Sequence, residues 1–250
     1  MLTPGHAARV AALYDLHGNA AALEAVLAEA RAEGCELLVF GGDVAWGPFP
    51  RETLQRVMEP GLPALYVRGN ADREVAAPPD DGDWEGEIAR WCAAKLDDRQ
   101  RTFLADQPES ATVTVDGLGD VLFCHGSPRS DEEPLTFLTP EKRLRETVAD
   151  VHAGVVVCGH THMQFDRTAG ATRIVCAGSI GMPYEGRPGA YWCLLDGSGV
   201  SLRRTGYDFE GAARAIERSG CPYASEMATN LRTPPGREET ARQFEPDPTE

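Results

Sequence analysis

Seven side chains of types that bind metal ions follow short apolar runs of the 250-residue sequence. They are Asp15, His17, Asp43, Asn70, His125, His160 and His162. Four of the six histidines in the chain belong to this set. Imidazole nitrogens mixed with oxygen ligands suit Mn²⁺, Fe, Zn²⁺, Ni²⁺ or Co²⁺ better than Ca²⁺ or Mg²⁺. The set exceeds what one metal ion with an open position needs, so we expect two divalent metal ions that share a carboxylate, with Mn²⁺ as the first candidate.

Each of these residues also has a simpler explanation when it is taken alone. An aspartate at a strand end usually caps a turn, and a histidine beside an apolar run usually hydrogen-bonds within the core. A Gly-Asn pair often marks only a turn. The set as a whole, in this order along the chain, favours a metal site.

The runs that precede these residues predict strands at the centre of a sheet. Continuous apolar segments of this length are typical of strands that are covered on both faces. Ligands in α/β proteins gather at the carboxyl ends of such strands, so we expect the candidate ligands to meet there. The runs are ARVAALY before Asp15, CELLVF before Gly41-Gly42-Asp43, PALYV before Arg68-Gly69-Asn70, DVLFC before His125 and GVVVC before Gly159.

The spacing of apolar residues elsewhere predicts helices, and later segments predict antiparallel strands. Parallel β-α units followed by hairpins favour an α/β fold in which two mixed sheets pack together and helices flank them. The helices are expected at 19–33, 50–59, 139–152, 208–219 and 223–230, with a two-part helical stretch at 84–106. The strands are expected at 172–177 and in hairpins that join 111–116 to 120–124 and 190–196 to 199–205.

We expect a single domain over residues 1–231 and a loose tail over 232–250 that is rich in Pro, Glu, Arg and Thr. Hydrophobic residues make up 42% of the chain, which is enough for a large core and excludes a disordered chain. The seven cysteines contain no C-x-x-C pair and are expected to be reduced thiols in a cytoplasmic protein. No apolar run reaches the roughly 18 residues of a membrane span, and no secretory signal is recognisable, so no membrane partner is expected.

The formal net charge of −15 argues against one kind of phosphate-bearing partner and is compatible with another. A long nucleic acid needs a basic surface, so we expect none as a partner. A small phosphorylated substrate stays compatible with this charge, because metal ions can supply the positive charge at the site. A homo-oligomer is also compatible with the sequence.

The ordered motifs D-x-H, G-D, G-N, H and G-H-x-H resemble those of the calcineurin-like metallophosphoesterases. The match extends over residues 8 to about 205. The chain looks most similar to the small bacterial YfcE-like phosphodiesterase branch and to some asymmetric dinucleoside polyphosphate hydrolases. The resemblance implies a four-layer αββα sandwich with two mixed sheets and a dinuclear metal centre.

The same resemblance implies a ligand set for each metal ion. One ion would be held by Asp15, His17 and His162, the other by Asn70, His125 and His160, and Asp43 would bridge the two. We take Asp43, Asn70 and His125 as the catalytic residues. The implied activity is hydrolysis of small phosphodiesters or nucleotide polyphosphates by a hydroxide that bridges the metal ions.

One position departs from the family pattern. Most members have a histidine after the G-N motif that assists the leaving group, whereas this chain has Ala71 there, and the YfcE-like branch also lacks the histidine. Without that proton donor, easily departing groups are favoured over simple alkyl monoesters. The alternatives on the same fold are a phosphomonoesterase, a serine/threonine protein phosphatase and a catalytically inactive scaffold.

Three further residues are candidates for substrate binding. Arg129 follows the motif histidine by four residues and could clamp a phosphate, although a solvated ion pair explains it equally well. Asp72 and Arg73 follow the G-N motif, where they could hold a ligand in place or form a surface ion pair. Ser179 lies in a glycine-flanked segment after a predicted strand and could approach the metal centre. Trp46, Tyr184 and Glu185 are candidates for the wall of the cleft.

Overall fold

The computed structural model describes residues 5–80 and 83–245, which form two β-sheets and their flanking helices. The strands are β1 (His6–Ala7), β2 (Arg9–Leu13), β3 (Leu37–Phe40), β4 (Ala64–Tyr66), β5 (Ser110–Val115), β6 (Gly119–Cys124), β7 (Val155–Cys158), β8 (Phe165–Ala169), β9 (Thr172–Cys176), β10 (Ala190–Asp196) and β11 (Gly199–Thr205). The helices are α1 (Ala20–Ala32), α2 (Pro50–Met58), α3 (Asn70–Ala76), α4 (Trp84–Ala93), α5 (Asp98–Ala105), α6 (Glu141–Thr147), α7 (Phe209–Glu217), α8 (Ala224–Arg232) and α9 (Arg237–Phe244).

Both sheets are mixed, as expected. The five-stranded sheet has the order β11-β10-β2-β3-β4, in which β2, β3 and β4 run parallel and the hairpin β10–β11 adds antiparallel strands. The six-stranded sheet has the order β1-β5-β6-β7-β9-β8, with the hairpin β5–β6 beside the parallel strands β6, β7 and β9. All the strands that precede candidate ligands are therefore parallel strands whose carboxyl ends lie at one edge of their sheet.

The two sheets pack face to face, and each is covered by helices on its other face. Alternate residues of β2, such as Val10 and Ala12, join a buried cluster with Phe123 and Val157 of the other sheet. Ala11 and Leu13 of β2 pack under α1 to α5, and the outer face of the six-stranded sheet packs on α6. This arrangement confirms the predicted α/β fold with two mixed sheets, in four layers, because buried strands need apolar partners on both faces.

Helix α1 forms where its apolar spacing and its cap predict it. The Asn19 side chain accepts a hydrogen bond from the Ala22 amide and caps the first turn. Leu23, Val26 and Leu27 lie on the buried face of the helix. Burial of each side chain of this size contributes about 1.5–3 kcal/mol, so the face packed on the sheet holds the helix in place.

Helix α6 is shorter than the predicted helix over 139–152. It covers only Glu141–Thr147. Thr139 lies before the helix, where its hydroxyl accepts a hydrogen bond from the Thr136 amide. Helix α3 and strand β8 were not predicted. Helix α3 is only seven residues long and begins at the candidate ligand Asn70, so it offers too few turns for an apolar period.

The segment expected to be a loose tail from residue 232 includes helix α9. Helix α9 packs there with Ala241 fully buried, and Arg237 donates to the backbone carbonyl of Gln164. The hydroxyls of Thr136 and Thr139 both donate to the Glu245 carboxylate. Composition predicts polarity but not these long-range partners, and residues 246–250 lie outside the described part of the chain.

Within residues 5–80 and 83–245, every helix is too short or too polar to cross a membrane.

We predict that Ala241→Asp detaches α9 from the domain. The buried methyl group would be replaced by a carboxylate without a partner, which costs several kcal/mol in an apolar environment. Hydrogen–deuterium exchange over 237–244 should then accelerate by roughly ten-fold or more. Gln243→Asp places the same carboxylate on the exposed face of the helix and should leave exchange unchanged. Equal protection in Ala241→Asp and the unaltered protein would contradict the packing described above.

Candidate metal centre

Most of the non-glycine residues with a left-handed backbone lie among the candidate metal ligands. Six non-glycine residues in the described part of the chain have positive φ, and five of them belong to the predicted ligand set. The five are Asp15 (φ 52°), His17 (φ 43°), Asp43 (φ 53°), His160 (φ 68°) and His162 (φ 59°). This conformation costs an L-residue about 1–2 kcal/mol, so its concentration here indicates that the fold holds these side chains in place for a function.

Backbone hydrogen bonds tie the loop after β2 to the loop after β3. The Asp15 amide donates to the Gly42 carbonyl (3.1 Å), and the His17 amide donates to the Asp43 carbonyl (2.8 Å). These bonds continue the parallel pairing of the two strands beyond the end of the sheet. The three candidate ligands of these loops are therefore fixed beside one another.

Glycines let the neighbouring backbone approach the carboxylates. A Cβ atom on Gly69 would lie 2.1 Å from Oδ1 of Asp43, and one on Gly159 would lie 2.6 Å from Oδ2 of Asp15. The Ala71 amide can thereby donate to Oδ1 of Asp43 at 2.9 Å. The glycines of the G-N and G-H-x-H motifs are thus required by the close approach itself.

Asp15, His17, Asp43 and His162 form a first cluster of ligand atoms, all within 4.8 Å of one another. The Nε2 atoms of His17 and His162 are 3.0 Å apart. In each ring, Nδ1 is hydrogen-bonded to a backbone carbonyl. The His17 Nδ1 atom is 3.2 Å from the Trp46 carbonyl, and the His162 Nδ1 atom is 2.7 Å from the Met182 carbonyl. The proton of each neutral ring therefore sits on Nδ1, and two bare nitrogen lone pairs face each other, an arrangement that a cation between them would stabilise.

Asn70, His125 and His160 form a second cluster beside the first. The Asn70 Oδ1 atom is 3.2 Å from His125 Nε2 and 3.1 Å from His160 Nδ1. The other nitrogen of His125 lies 2.8 Å from the Gly41 carbonyl, which orients the ring with its Nε2 toward the cluster. Nitrogen and oxygen acceptors again converge on one point, as a metal ion requires.

The Asp43 carboxylate lies between the two clusters. Its Oδ2 atom is 3.4 Å from His125 Nε2 in one cluster and 3.7 Å from His17 Nε2 in the other. A carboxylate that reaches both sets is the group that two cations would share. The residues present therefore fit the predicted pair of divalent metal ions.

Burial and the neighbouring carboxylates shift the pKa values of the four clustered histidines in different directions. Burial lowers the pKa of His17 and of His162, and it lowers that of His160 to about 4. Burial acts in the same direction on His125, but the adjacent Asp43 carboxylate outweighs it and raises the pKa of His125 to about 10. Three of the rings are thus neutral and ready to bind metal near neutral pH, and His125 must lose a proton to do so.

The pKa values of the Asp15 and Asp43 carboxyl groups shift in opposite directions. Burial raises the pKa of Asp15 well above its usual range. Burial also opposes ionisation of Asp43, but the neighbouring histidines, His125 above all, lower the pKa of Asp43 below its usual range. Asp43 therefore stays ionised at the pH of a cell, as a shared ligand must.

Asp72 holds the loop that carries Asp43. Its buried carboxylate accepts hydrogen bonds from the amides of Asp43 (2.8 Å), Val44 (2.8 Å) and Gly69 (3.1 Å). Burial, with the Asp43 charge, raises the pKa of Asp72 to about 6. Of the two roles considered for this position, the structure shows the one that supports a ligand.

The three predicted substrate-binding residues do not line the cleft at the clusters. Ser179 is fully buried, and its hydroxyl donates to the Asp15 carbonyl at 2.7 Å, so it positions the backbone of a ligand. Arg129 binds the Glu133 carboxylate on a different surface depression. Arg73 is occupied by ion pairs to Asp131 (3.1 Å) and Glu132 (2.6 Å). Each group is already satisfied by a protein partner; for Arg129 this is the ion pair considered from the sequence, whereas the partners of Ser179 and Arg73 lie far away in the chain.

The ligand clusters open into a cleft of about 150 Å³. Trp46 and Tyr184 line it, as considered from the sequence, whereas Glu185 instead pairs with Arg237. Sequence reasoning missed five wall residues, which have no local motif: Glu74, Trp84, Glu85, Met182 and Phe244. Phe244 reaches the cleft from α9, with its ring centre 6.1 Å from that of His160.

The fold is of mixed α/β architecture, and the clustered side chains could hold a metal ion. The family model described as "Calcineurin-like phosphoesterase superfamily domain" matches residues 9–198, and the chain belongs to this superfamily. The resemblance predicted from the motifs is confirmed.

Three relatives show the extent of the likeness. An uncharacterised protein of Methanocaldococcus jannaschii is 25% identical over 236 residues, covering 85% of this chain and 93% of its own. The crystal structure of a hypothetical protein from Pyrococcus horikoshii superposes with a TM-score of 0.79 at 21% identity, covering 91% of this chain and 99% of its own. A metallophosphoesterase from Sphaerobacter thermophilus superposes with a TM-score of 0.71 at 22% identity, covering 90% and 98%. These structures share the fold over nearly their whole length.

We predict that Gly69→Ala abolishes metal binding. The added methyl group would overlap Oδ1 of Asp43 and push that carboxylate out of both clusters. Elemental analysis after loading with Mn²⁺ should show a large loss of bound metal relative to the unaltered protein. Gly206→Ala is the matched control, because no atom lies within 4 Å of a Cβ at that position. Full metal content in Gly69→Ala would show that Asp43 is not a ligand.

We predict that metal binding releases protons. His125 carries a proton in the metal-free protein at about pH 7.5, since its pKa is raised to about 10, and a metal ion displaces it. Apparent affinity should therefore rise with pH. Calorimetry in buffers of different ionisation enthalpy should detect release of about one proton or more, reduced in His125→Asn and retained in His152→Asn. Binding without proton release would contradict the role given to His125.

Proposed function

We propose that this chain is a hydrolase that uses two divalent metal ions to cleave small phosphodiesters or nucleotide polyphosphates. The observation that carries the proposal is the position of Asp43 Oδ2, which is 3.4 Å from His125 Nε2 in one cluster and 3.7 Å from His17 Nε2 in the other. Membership of the phosphoesterase superfamily supports a hydrolase acting on phosphoesters. The shared carboxylate supports the dinuclear form of the centre.

The chain's own residues prepare the site for this chemistry. Two bound cations would polarise a phosphoryl oxygen and acidify a water molecule. Asp43 supplies the negative charge that keeps two cations close together. Carbonyl groups hold His17, His125 and His162 with Nε2 directed inward, so the ligand geometry exists before a substrate arrives.

The ligand chemistry favours Mn²⁺ among the divalent ions, with Fe, Zn²⁺, Ni²⁺ and Co²⁺ as alternatives. Nitrogen and oxygen donors are mixed in both clusters, and no thiolate takes part among the described ligand atoms. The described cysteines are all free and buried, which supports the further proposal of a reducing, cytoplasmic location.

The position after the G-N motif supports a preference for leaving groups that depart without help. The Ala71 side chain lies in the cleft and has no acidic proton to donate, while its amide already donates a hydrogen bond to Asp43. A general acid is typically worth about 10²–10⁴-fold in rate, so alkyl monoesters should be poor substrates. Phosphomonoesterase and protein phosphatase activities are disfavoured on this ground. An inactive scaffold is disfavoured because the predicted ligands are all present and clustered.

We predict that the Mn²⁺-loaded protein hydrolyses bis(p-nitrophenyl) phosphate with a higher kcat/KM than an alkyl phosphate monoester. Asp43→Asn should lower kcat/KM by about 10²-fold or more, because the shared negative charge is lost. Asp98→Asn removes the same charge from an exposed helix end and should behave as the unaltered protein.

A clear monoester preference would contradict the proposed substrate class. Two bound metal ions without activity on any phosphoester would support the scaffold. Equal activity of Asp43→Asn and Asp98→Asn would contradict the shared-ligand role of Asp43.

A further inference from the structure

A second cleft adjoins the one at the metal ligands. It encloses about 280 Å³ and shares a wall with the first, formed by Trp46, Trp84, Met182 and Tyr184. Helix α8 and the residue before it supply the far side: Tyr223, Glu226, Met227 and Asn230. A substrate held at the metal ligands by its phosphate could therefore extend one arm into this neighbouring space.

Two aromatic residues of these clefts are unusually exposed, Trp84 in the shared wall and Tyr223 on the far side. Trp84 is 49% exposed and Tyr223 is 40% exposed, and both are among the few large apolar side chains left in solvent within the described residues. The ring centres of Trp46 and Trp84 are 5.9 Å apart, and those of Trp84 and Tyr223 are 6.2 Å apart. A row of aromatic rings, two of them exposed, beside the clustered ligand atoms is typical of a surface that binds a ligand.

The clefts are lined by acidic side chains. Glu74 and Glu85 line the first cleft and Glu226 lines the second. Among the described residues that line these two clefts, none is a lysine or an arginine. Arg73, the neighbour of Glu74 in the sequence, is instead bonded to Asp131 and Glu132.

This distribution of charge opposes one substrate class and favours another. A polyphosphate chain would place several negative charges beside Glu74 and Glu85 with no cationic side chain to balance them. A phosphodiester has a single negative charge, which bound metal ions would hold. Its arm would then lie among aromatic rings and carboxylates, the surroundings that attract an organic cation.

We propose that the substrate is a phosphodiester with one arm that carries an alkylammonium group, as choline does, and that this group binds beside Trp84, which lines both clefts, with Glu85 in the first cleft and Tyr223 in the second. The inference rests on the proposed function and narrows its substrate class to zwitterionic diesters. Trp84 and Tyr223 would contribute cation–π attraction, and Glu85 would contribute charge. These would be specificity-determining residues, because they line the two clefts and are not among the candidate metal ligands.

The test compares p-nitrophenyl phosphodiesters that differ in the second arm. One carries choline, one carries its neutral carbon isostere 3,3-dimethylbutanol, and one carries thymidine. Each is assayed with the Mn²⁺-loaded full-length protein beside bis(p-nitrophenyl) phosphate. The choline ester should have a kcat/KM roughly ten-fold above that of the isostere, and above that of the thymidine ester.

Variants of cleft residues test whether the clefts cause the preference for the choline ester. Glu85→Gln and Trp84→Leu should each lower the ratio of choline ester to isostere by roughly three-fold or more. Glu52→Gln removes one negative charge from the exposed side of α2, outside both clefts, and should leave the ratio unchanged. Trp84 is half exposed, so its replacement should not unfold the protein.

The outcomes separate this inference from the proposed function. Hydrolysis of bis(p-nitrophenyl) phosphate without a choline preference, or with a thymidine preference, would overturn the inference alone. A choline preference that survives both cleft variants would overturn the assignment to this cleft. Failure to hydrolyse any of the diesters would overturn the proposed function, and the inference with it.

Discussion

The site depends on an arrangement that is unfavourable without a cation: hydrogen-bond acceptors that face one another with no donor between them. His17 and His162 turn their N–H groups outward to backbone carbonyls and direct their bare Nε2 atoms at each other across 3.0 Å. The Asp43 carboxylate lies among the same acceptors. Such a set is stable when positive charge lies at its centre, and this requirement explains why buried carboxylates and histidines occupy one edge of both sheets.

The rest of the fold holds this arrangement in place. Five ligand residues adopt the left-handed conformation, which disfavours the folded chain by about 1–2 kcal/mol at each position. The packing of two sheets and their helices compensates for that cost, and Asp72 clamps three amides around the Asp43 loop. Tyr14 joins the two sheets through a hydrogen bond from its hydroxyl to the Val157 carbonyl (2.9 Å), directly before the ligand Asp15.

A phosphodiester would meet different electrostatic surroundings at the ligand clusters and along the cleft wall. The clusters suit cations, which would attract phosphate, whereas the wall around them is acidic and aromatic. The proposed zwitterionic substrate would match both halves, since its anion and its cation are separated by a short linker. Helix α9 adds to the same wall through Phe244, so a segment that looked like a polar tail contributes to the site.

The sequence by itself identified the candidate ligands that the structure brings together, because each follows a buried strand and both the apolar run and the motif are local patterns. It also determined α1 and the hairpins, where apolar spacing, the Asn19 cap and the turn residues all agree. Only the tertiary structure decided the partners of Ser179 and Arg73, because these side chains bond to groups far away in the chain. The same holds for the cleft wall and for α9, whose packing rests on one buried face and on bonds to residues about a hundred positions earlier. Such long-range pairings leave no periodic signal in a single sequence.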